Sequence, residues 1–148
     1  MRVGILSDTH GVLPPGIDEA FADVDRIIHA GDIGAQRVLT ALEAIAPVVA
    51  VRGNTDTGEL EWRLPDRAVV RLAGRRIVVT HVPDDVGDPG AADVIVAGHT
   101  HRALVERRGI ALHVNPGSAG VAGRDGRGPT VAVLDLAADP PEARIIDL

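Results

Sequence analysis

Seven residues carry side chains that could share one chemistry: Asp8, His10, Asp32, Asn54, His81, His99 and His101. All are nitrogen or oxygen donors of the kinds that bind divalent metal ions. The chain has no cysteine, so a thiolate site and a cysteine nucleophile are both excluded. Imidazole and carboxylate donors suit metals such as Mn, Fe, Ni, Co or Zn. His99 and His101 are two positions apart, so on an extended segment both point to the same face. Taken singly the pieces are ordinary. Asp-x-His after a strand is usually a capped turn, and Gly-Asp and Gly-Asn are common turn dipeptides. A lone strand-end histidine such as His81 is more often a satisfied polar group than a ligand. The information lies in the ordered set.

Each candidate stands where a short apolar run stops. Residues 2–6 end at Ser7-Asp8, 25–29 at Gly31-Asp32, 48–51 at Gly53-Asn54, 77–80 at His81, and 94–97 at Gly98-His99. These runs read as buried strands. In open α/β sheets ligands bind beyond the carboxyl ends of the strands, so these donors gather at one rim. Adjacent glycines let the backbone turn sharply enough for them to converge. Ile17, Ala20 and Phe21 have helical spacing. Ala35, Val38, Leu39, Leu42, Ile45 and Ala46 follow an i, i+3, i+4, i+7 pattern that predicts an amphipathic helix, stopped by Pro47. The first half therefore predicts strand–helix–strand–helix–strand, a parallel sheet with right-handed crossovers. Further strands are expected at 68–72, 104–106, 110–114, 130–136 and 143–146. Turns fall at Ala73-Gly74 and Arg108-Gly109, and a Gly-rich loop at 124–129. The expectation is a single α/β domain over residues 1–148.

Composition narrows the partners. A formal charge of −6 argues against general binding to nucleic acid or to an acidic membrane surface. Phe21 and Trp62 are the only aromatics, so there is no platform for stacking bases. No apolar run approaches the ~20 residues of a spanning helix. The opening residues run straight into a strand, so no signal peptide is expected and a cytoplasmic location follows as the default. All fifteen lysine-plus-arginine residues are arginine, which reads as compositional bias.

The ordered motifs Asp8-Thr9-His10, Gly31-Asp32, Gly53-Asn54-Thr55-Asp56, His81 and Gly98-His99-Thr100-His101 resemble those of the calcineurin-like metallophosphoesterases. With the Asn115-Pro116-Gly117-Ser118 turn and the short length, they look like the small bacterial and archaeal phosphodiesterase branch. The resemblance implies two mixed β-sheets packed face to face with helices outside, a four-layer sandwich. It also implies a dinuclear site, with Mn the first choice of metal. Asp8, His10, Asp32 and His101 would hold one metal, and Asp32, Asn54, His81 and His99 the other, Asp32 bridging both. A hydroxide shared by the metals would attack a phosphate-ester substrate in line with the leaving oxygen. Asn54 and Asp32 are the implied catalytic pair. A retromer subunit uses the same fold as a protein-binding scaffold, which is the alternative; its metal set is incomplete, whereas this chain lacks none of the seven ligands.

The sequence also departs from the pattern. Where the protein phosphatases place His after the motif Asn, and the small phosphodiesterases commonly Cys, this chain has Thr55, so no imidazole is supplied there as general acid. Asp56 then reads as an Asx turn. Val82-Pro83 follows His81 in place of Gly-His. The stretch 82–92 carries Pro83, Gly87, Pro89 and Gly90, which forbid the helix usual there. The outer face of the second sheet is thus expected to be less covered, and a homo-oligomer follows from that. His29 and His113 fit no ligand position and are read as core or supporting residues. Arg52, Arg102 and Arg124 are candidates for phosphate contact.

Overall fold

Apolar side chains that alternate with a period of two build two sheets around one shared interior. In the first strand, β1 (Arg2–Leu6), Val3 and Ile5 face that interior while Leu6 faces the opposite side. In the computed structural model, which describes residues 1–120, 123, 124 and 126–148, ten strands form. Asp125, inside the Gly-rich loop expected at 124–129, lies outside the described residues.

The first sheet joins β1 to β2 (Arg26–His29), β3 (Val48–Ala50), β9 (Thr130–Asp135) and β10 (Glu142–Asp147), in the order β10-β9-β1-β2-β3. The central neighbours β1, β2 and β3 run parallel, and β9 and β10 add on antiparallel. The second sheet has the order β4-β5-β6-β8-β7, from β4 (Arg67–Leu72), β5 (Arg75–Thr80), β6 (Val94–Val96), β7 (Ala103–Arg108) and β8 (Ala111–Pro116). Here β5, β6 and β8 are parallel and the two edge strands antiparallel. Both sheets are mixed, as expected. Val3, Ile5 and Ile28 of the first pack on Ile77, Val79, Val96 and Val114 of the second, all buried. Fully burying such a side chain contributes about 1.5–3 kcal/mol.

The helices cover the outer face of the first sheet. These are α1 (Ile17–Ala20), α2 (Gln36–Glu43) and α3 (Glu59–Arg63). Phe21, Val38, Leu39, Leu42 and Leu60 pack there against Leu6, Ile27, Val131 and Val133. The expected helix is α2, shortened at both ends. The sequence reading passed over α3, whose one buried residue is Leu60. The outer face of the second sheet has only a thin cover, Ala92 and Val86 over Val78, Ile95 and Ala111. Where the prolines and glycines of 82–92 forbid a helix, only a single 3-10 turn, Pro83–Val86, forms. A groove of about 810 Å³ is left open between it and β7. His113 lies on that groove and not at the site rim. Among the described residues, no helix is long and apolar enough to cross a membrane.

The parallel ladder continues past the strand ends into the motif loops. Asp8 N–H donates to Gly31 O (3.0 Å), His10 N–H to Asp32 O (3.0 Å) and Gly98 N–H to His81 O (2.9 Å). His29, wholly buried, locks the first two loops together. Gly31 N–H donates to its Nδ1 (3.2 Å), its Nε2 meets Thr9 Oγ1 (3.0 Å), and that hydroxyl donates to Ile33 O (2.9 Å). This relay has one consistent direction only when the ring is neutral with its proton on Nε2. Burial, reinforced by the nearby His81, agrees with it, pushing His29 down to about 3.

A depressed histidine pKa leaves stability intact above the unfolded value near 6.5 and removes it as pH falls toward about 3, because only the unfolded chain takes the proton. In metal-free protein, unfolding at pH ~4.5 should therefore take up about one proton through His29. The slope of thermal midpoint against pH between 6.5 and 4.5 measures this. The His29→Asn variant should show a shallower slope, and an unchanged slope would contradict the neutral relay.

Candidate metal centre

Every strand end that carries a candidate ligand turns the chain abruptly. Among the described residues, six non-glycine residues adopt positive φ, and five are expected ligands: Asp8 (57°), His10 (46°), Asp32 (53°), His99 (66°) and His101 (55°). The sixth, Ala73, makes the tight turn between β4 and β5. Asp and His tolerate the left-handed region better than most residues, yet each such residue still costs on the order of 1 kcal/mol or more. That cost is concentrated where side chains must leave a strand and converge. Three motif glycines are demanded by close approach: a Cβ on Gly31 would collide with His81, one on Gly53 with the Asp32 carboxylate, and one on Gly98 with Ser7 Oγ.

The two carboxylates are built alike. Asp8 is fully buried; its Oδ2 accepts the His99 backbone N–H at 3.1 Å, which leaves Oδ1 facing imidazoles. His101 Nε2 lies 3.1 Å from that oxygen, His81 Nε2 3.9 Å and His10 Nε2 4.0 Å. Asp32 uses Oδ1 to accept the Thr55 backbone N–H at 3.0 Å. Its Oδ2 faces His81 Nε2 at 3.4 Å and His10 Nε2 at 3.8 Å. Burial pushes the Asp32 carboxyl up, but the His81 ring and the Thr55 amide and hydroxyl outweigh it and hold the group well below the usual carboxylate range.

His81 gathers acceptors around one ring nitrogen. Its Nδ1–H donates to Ala30 O at 2.7 Å, so a neutral ring presents only a lone pair at Nε2. Around that nitrogen stand Asn54 Oδ1 at 3.0 Å and Asp32 Oδ2 at 3.4 Å, both acceptors. His99 Nδ1 approaches the same Asn54 oxygen at 3.2 Å. Acceptors that converge on a lone pair call for a cation, either a second proton or a metal ion. Burial pushes the His81 ring pKa down, but hydrogen bonds to Asp32 and Ala30 more than reverse this and raise it. The donor set fits a divalent metal on the same ground.

All seven expected residues thus meet at one rim. Asp8, His10 and His101 place their donor atoms within 4.8 Å of one another, and so do Asp8, Asp32 and His81. Asn54 and His99 adjoin the second group. The arrangement could hold two cations side by side. The His10 and His101 rings lie 5.7 Å apart on one side and the His81 and His99 rings 5.1 Å apart on the other.

Several supporting residues escaped the sequence reading. Asp56 does more than an Asx turn: its carboxylate accepts Gly53 N–H at 2.8 Å and Gly34 N–H at 2.9 Å, stapling the Asn54 loop to the Asp32 loop. Its only sequence signal was its place in the motif. Ser7 Oγ donates to Ala30 O at 3.2 Å and is fully buried. Of the arginines, Arg52 is spent on Asp66, its Nε and Nη2 at 2.5 and 3.0 Å, and ties the end of β3 to the start of β4. Arg124 meets the site through its backbone, N–H to His101 O at 2.9 Å. Arg102 lies on the outer groove.

Comparison with known proteins identifies the family. Residues 1–139 match the calcineurin-like phosphoesterase superfamily domain. The chain is 31% identical over 163 residues to a probable metallophosphoesterase of Methanothermobacter thermautotrophicus, covering 99% of this chain and 92% of that one. It is 31% identical over 162 residues to the phosphodiesterase YfcE of Escherichia coli, covering 91% and 88%. Among solved structures, an archaeal phosphodiesterase superposes with a TM-score of 0.78 at 30% identity over 100% of both chains. Vacuolar protein sorting 29 of Cryptosporidium parvum superposes with a TM-score of 0.75 at 21% identity, covering 99% and 97%, and so shares the fold. The chain belongs to the calcineurin-like phosphoesterase superfamily.

Proposed function

We propose that this chain is a dinuclear metal-dependent phosphodiesterase. The observation that carries the reading is the paired design of Asp8 and Asp32. Each buried carboxylate has one oxygen held by a backbone N–H and the other turned toward imidazole nitrogens, Asp8 toward His101 Nε2 and Asp32 toward His81 Nε2. Asp8, His10, Asp32 and His101 would hold one ion and Asp32, Asn54, His81 and His99 the other. Two divalent ions there would supply a cationic clamp for phosphoryl oxygens and make a water acidic enough to lose its proton near neutral pH. Mn heads the metals that suit this donor set, with Fe, Ni, Co and Zn as alternatives.

The protein's own part is positioning and charge. Asp32, sharing its carboxylate between the half-sites, offsets the mutual repulsion of two cations. Four neutral imidazoles leave the filled centre net positive, so it attracts a phosphate ester although the chain is acidic overall. Asn54 directs its carbonyl oxygen at His81 and His99, which leaves its amide N–H groups to donate to a phosphoryl oxygen. Thr55 is committed to Asp32 through its backbone and hydroxyl. No imidazole is supplied there to protonate a leaving alkoxide. A protein-binding scaffold is the second reading, favoured by the likeness to vacuolar protein sorting 29 and by the open groove on the second sheet. The complete ligand set weighs against it.

Stripped protein should be inert toward bis-p-nitrophenyl phosphate and regain hydrolysis on adding Mn. No activity above an Asp8→Ala control with any of several divalent metals would transfer support to the scaffold. Elemental analysis of reconstituted protein should find two metals per chain. The Asp32→Asn substitution should deplete both half-sites, whereas His101→Ala should chiefly deplete one. Two metals retained in Asp32→Asn would refute the bridging role. Across esters of graded leaving-group pKa, the native rate should fall steeply. A positioned acid is typically worth ~10²–10⁴-fold, so Thr55→His should flatten that slope by helping alkyl esters most. Equal slopes in two folded, metal-loaded proteins would show that the leaving group does not sit at position 55.

A further inference from the structure

The turn from Asn115 to Ser118 supplies no ligand, but it grips the loop that supplies two. Asn115, near the end of β8, is buried. Its Nδ2 donates to the Gly98 carbonyl at 2.8 Å and to Thr100 Oγ1 at 3.1 Å. Its Oδ1 accepts the Gly117 N–H at 3.0 Å. Gly98 and Thr100 are the residues on either side of His99, and Thr100 also precedes His101. Both histidines carry left-handed backbone, so the loop between them is one that would relax if released.

The carboxamide is matched to this task. Two amide hydrogens meet two acceptors and the carbonyl meets one donor, a pattern that a carboxylate or an alkyl group cannot reproduce. Its orientation is fixed from behind. Gly117, at a φ of 78°, turns its N–H back onto Asn115, and Thr130 Oγ1 donates to the Pro116 carbonyl at 2.7 Å, anchoring the turn to β9. The chain of support runs from the first sheet through the turn to the loop of the second. Thr100 Oγ1 extends it by accepting the Arg102 N–H at 3.3 Å, which reaches past His101.

We propose that Asn115 is a positioning residue of the metal centre, holding the loop over residues 98–102 so that His99 and His101 each present a ring nitrogen to one half-site. The proposal rests on the two-metal reading. Loss of a residue that orients a metal ligand typically costs 10–100-fold in metal affinity. In calorimetric titration of stripped protein with Mn²⁺, Asn115→Leu should weaken both binding steps by about that factor. Thr100→Val, which removes one of the two gripped groups from a partly exposed loop position, should weaken them less, in the same direction. A purely structural role would lower the thermal midpoint of metal-free protein and leave Mn²⁺ affinity unchanged. Unchanged affinity in folded Asn115→Leu, or in Thr100→Val should the former not fold, overturns the proposal. If the native protein takes up no Mn²⁺, the two-metal reading fails by itself. The decision then passes to the histidine ring NMR resonances of metal-free protein. Displacement of His99 and His101 in the same variants, with His29 in place, supports the grip, and superimposable spectra overturn it.

Discussion

Two carboxylates buried side by side govern this molecule. Asp8 is wholly enclosed and Asp32 is only 3% exposed, and both face the same His81 nitrogen. Removing a charge from water costs several kcal/mol after relaxation, and two like charges in one cavity add their own repulsion. One backbone N–H to each, with the Thr55 hydroxyl added at Asp32, is too little to offset this. The imidazoles around them can supply the balance, either by carrying a second proton or by sharing a metal ion with the carboxylates. The strained backbone at the ligand positions has the same origin. It persists because the neighbouring ladder bonds and side-chain staples over-determine the loops.

The supporting side chains divide the work by loop. His29 ties the Asp8 loop to the Asp32 loop through a neutral relay. Asp56 ties the Asp32 loop to the Asn54 loop by accepting one N–H from each. Asn115 holds the His99 and His101 loop from the far side. These contacts run mostly between a side chain and a backbone group, so they fix where a loop goes without competing for the metal. The rigid sheets set the spacing, and the loops set only the final direction of each donor.

How much of this is legible in sequence depends on the range of the cause. The strands are written locally, because a buried strand needs an apolar run and the turn residues after it, and all ten appear near where such runs occur. The ligands are legible because motif order and strand ends coincide. The short α3 was not, since Leu60 alone gives no periodicity over five residues. Asp56 and Asn115 read as turn residues because their partners lie 22 and 17 positions away. Arg52 looked available for phosphate, yet its partner Asp66 is far enough along the chain to escape a local reading. Nothing local separates a free arginine from one spent on a distant carboxylate.

The proposed dinuclear centre requires a rim already arranged for two divalent ions that share Asp32. Anomalous diffraction from a crystal of Mn-loaded protein tests it most directly. Two peaks are expected at the rim, one beside His10 and His101, the other beside Asn54, His81 and His99, with the Asp32 carboxylate between them. A single peak, or two peaks of which neither touches Asp32, would contradict it.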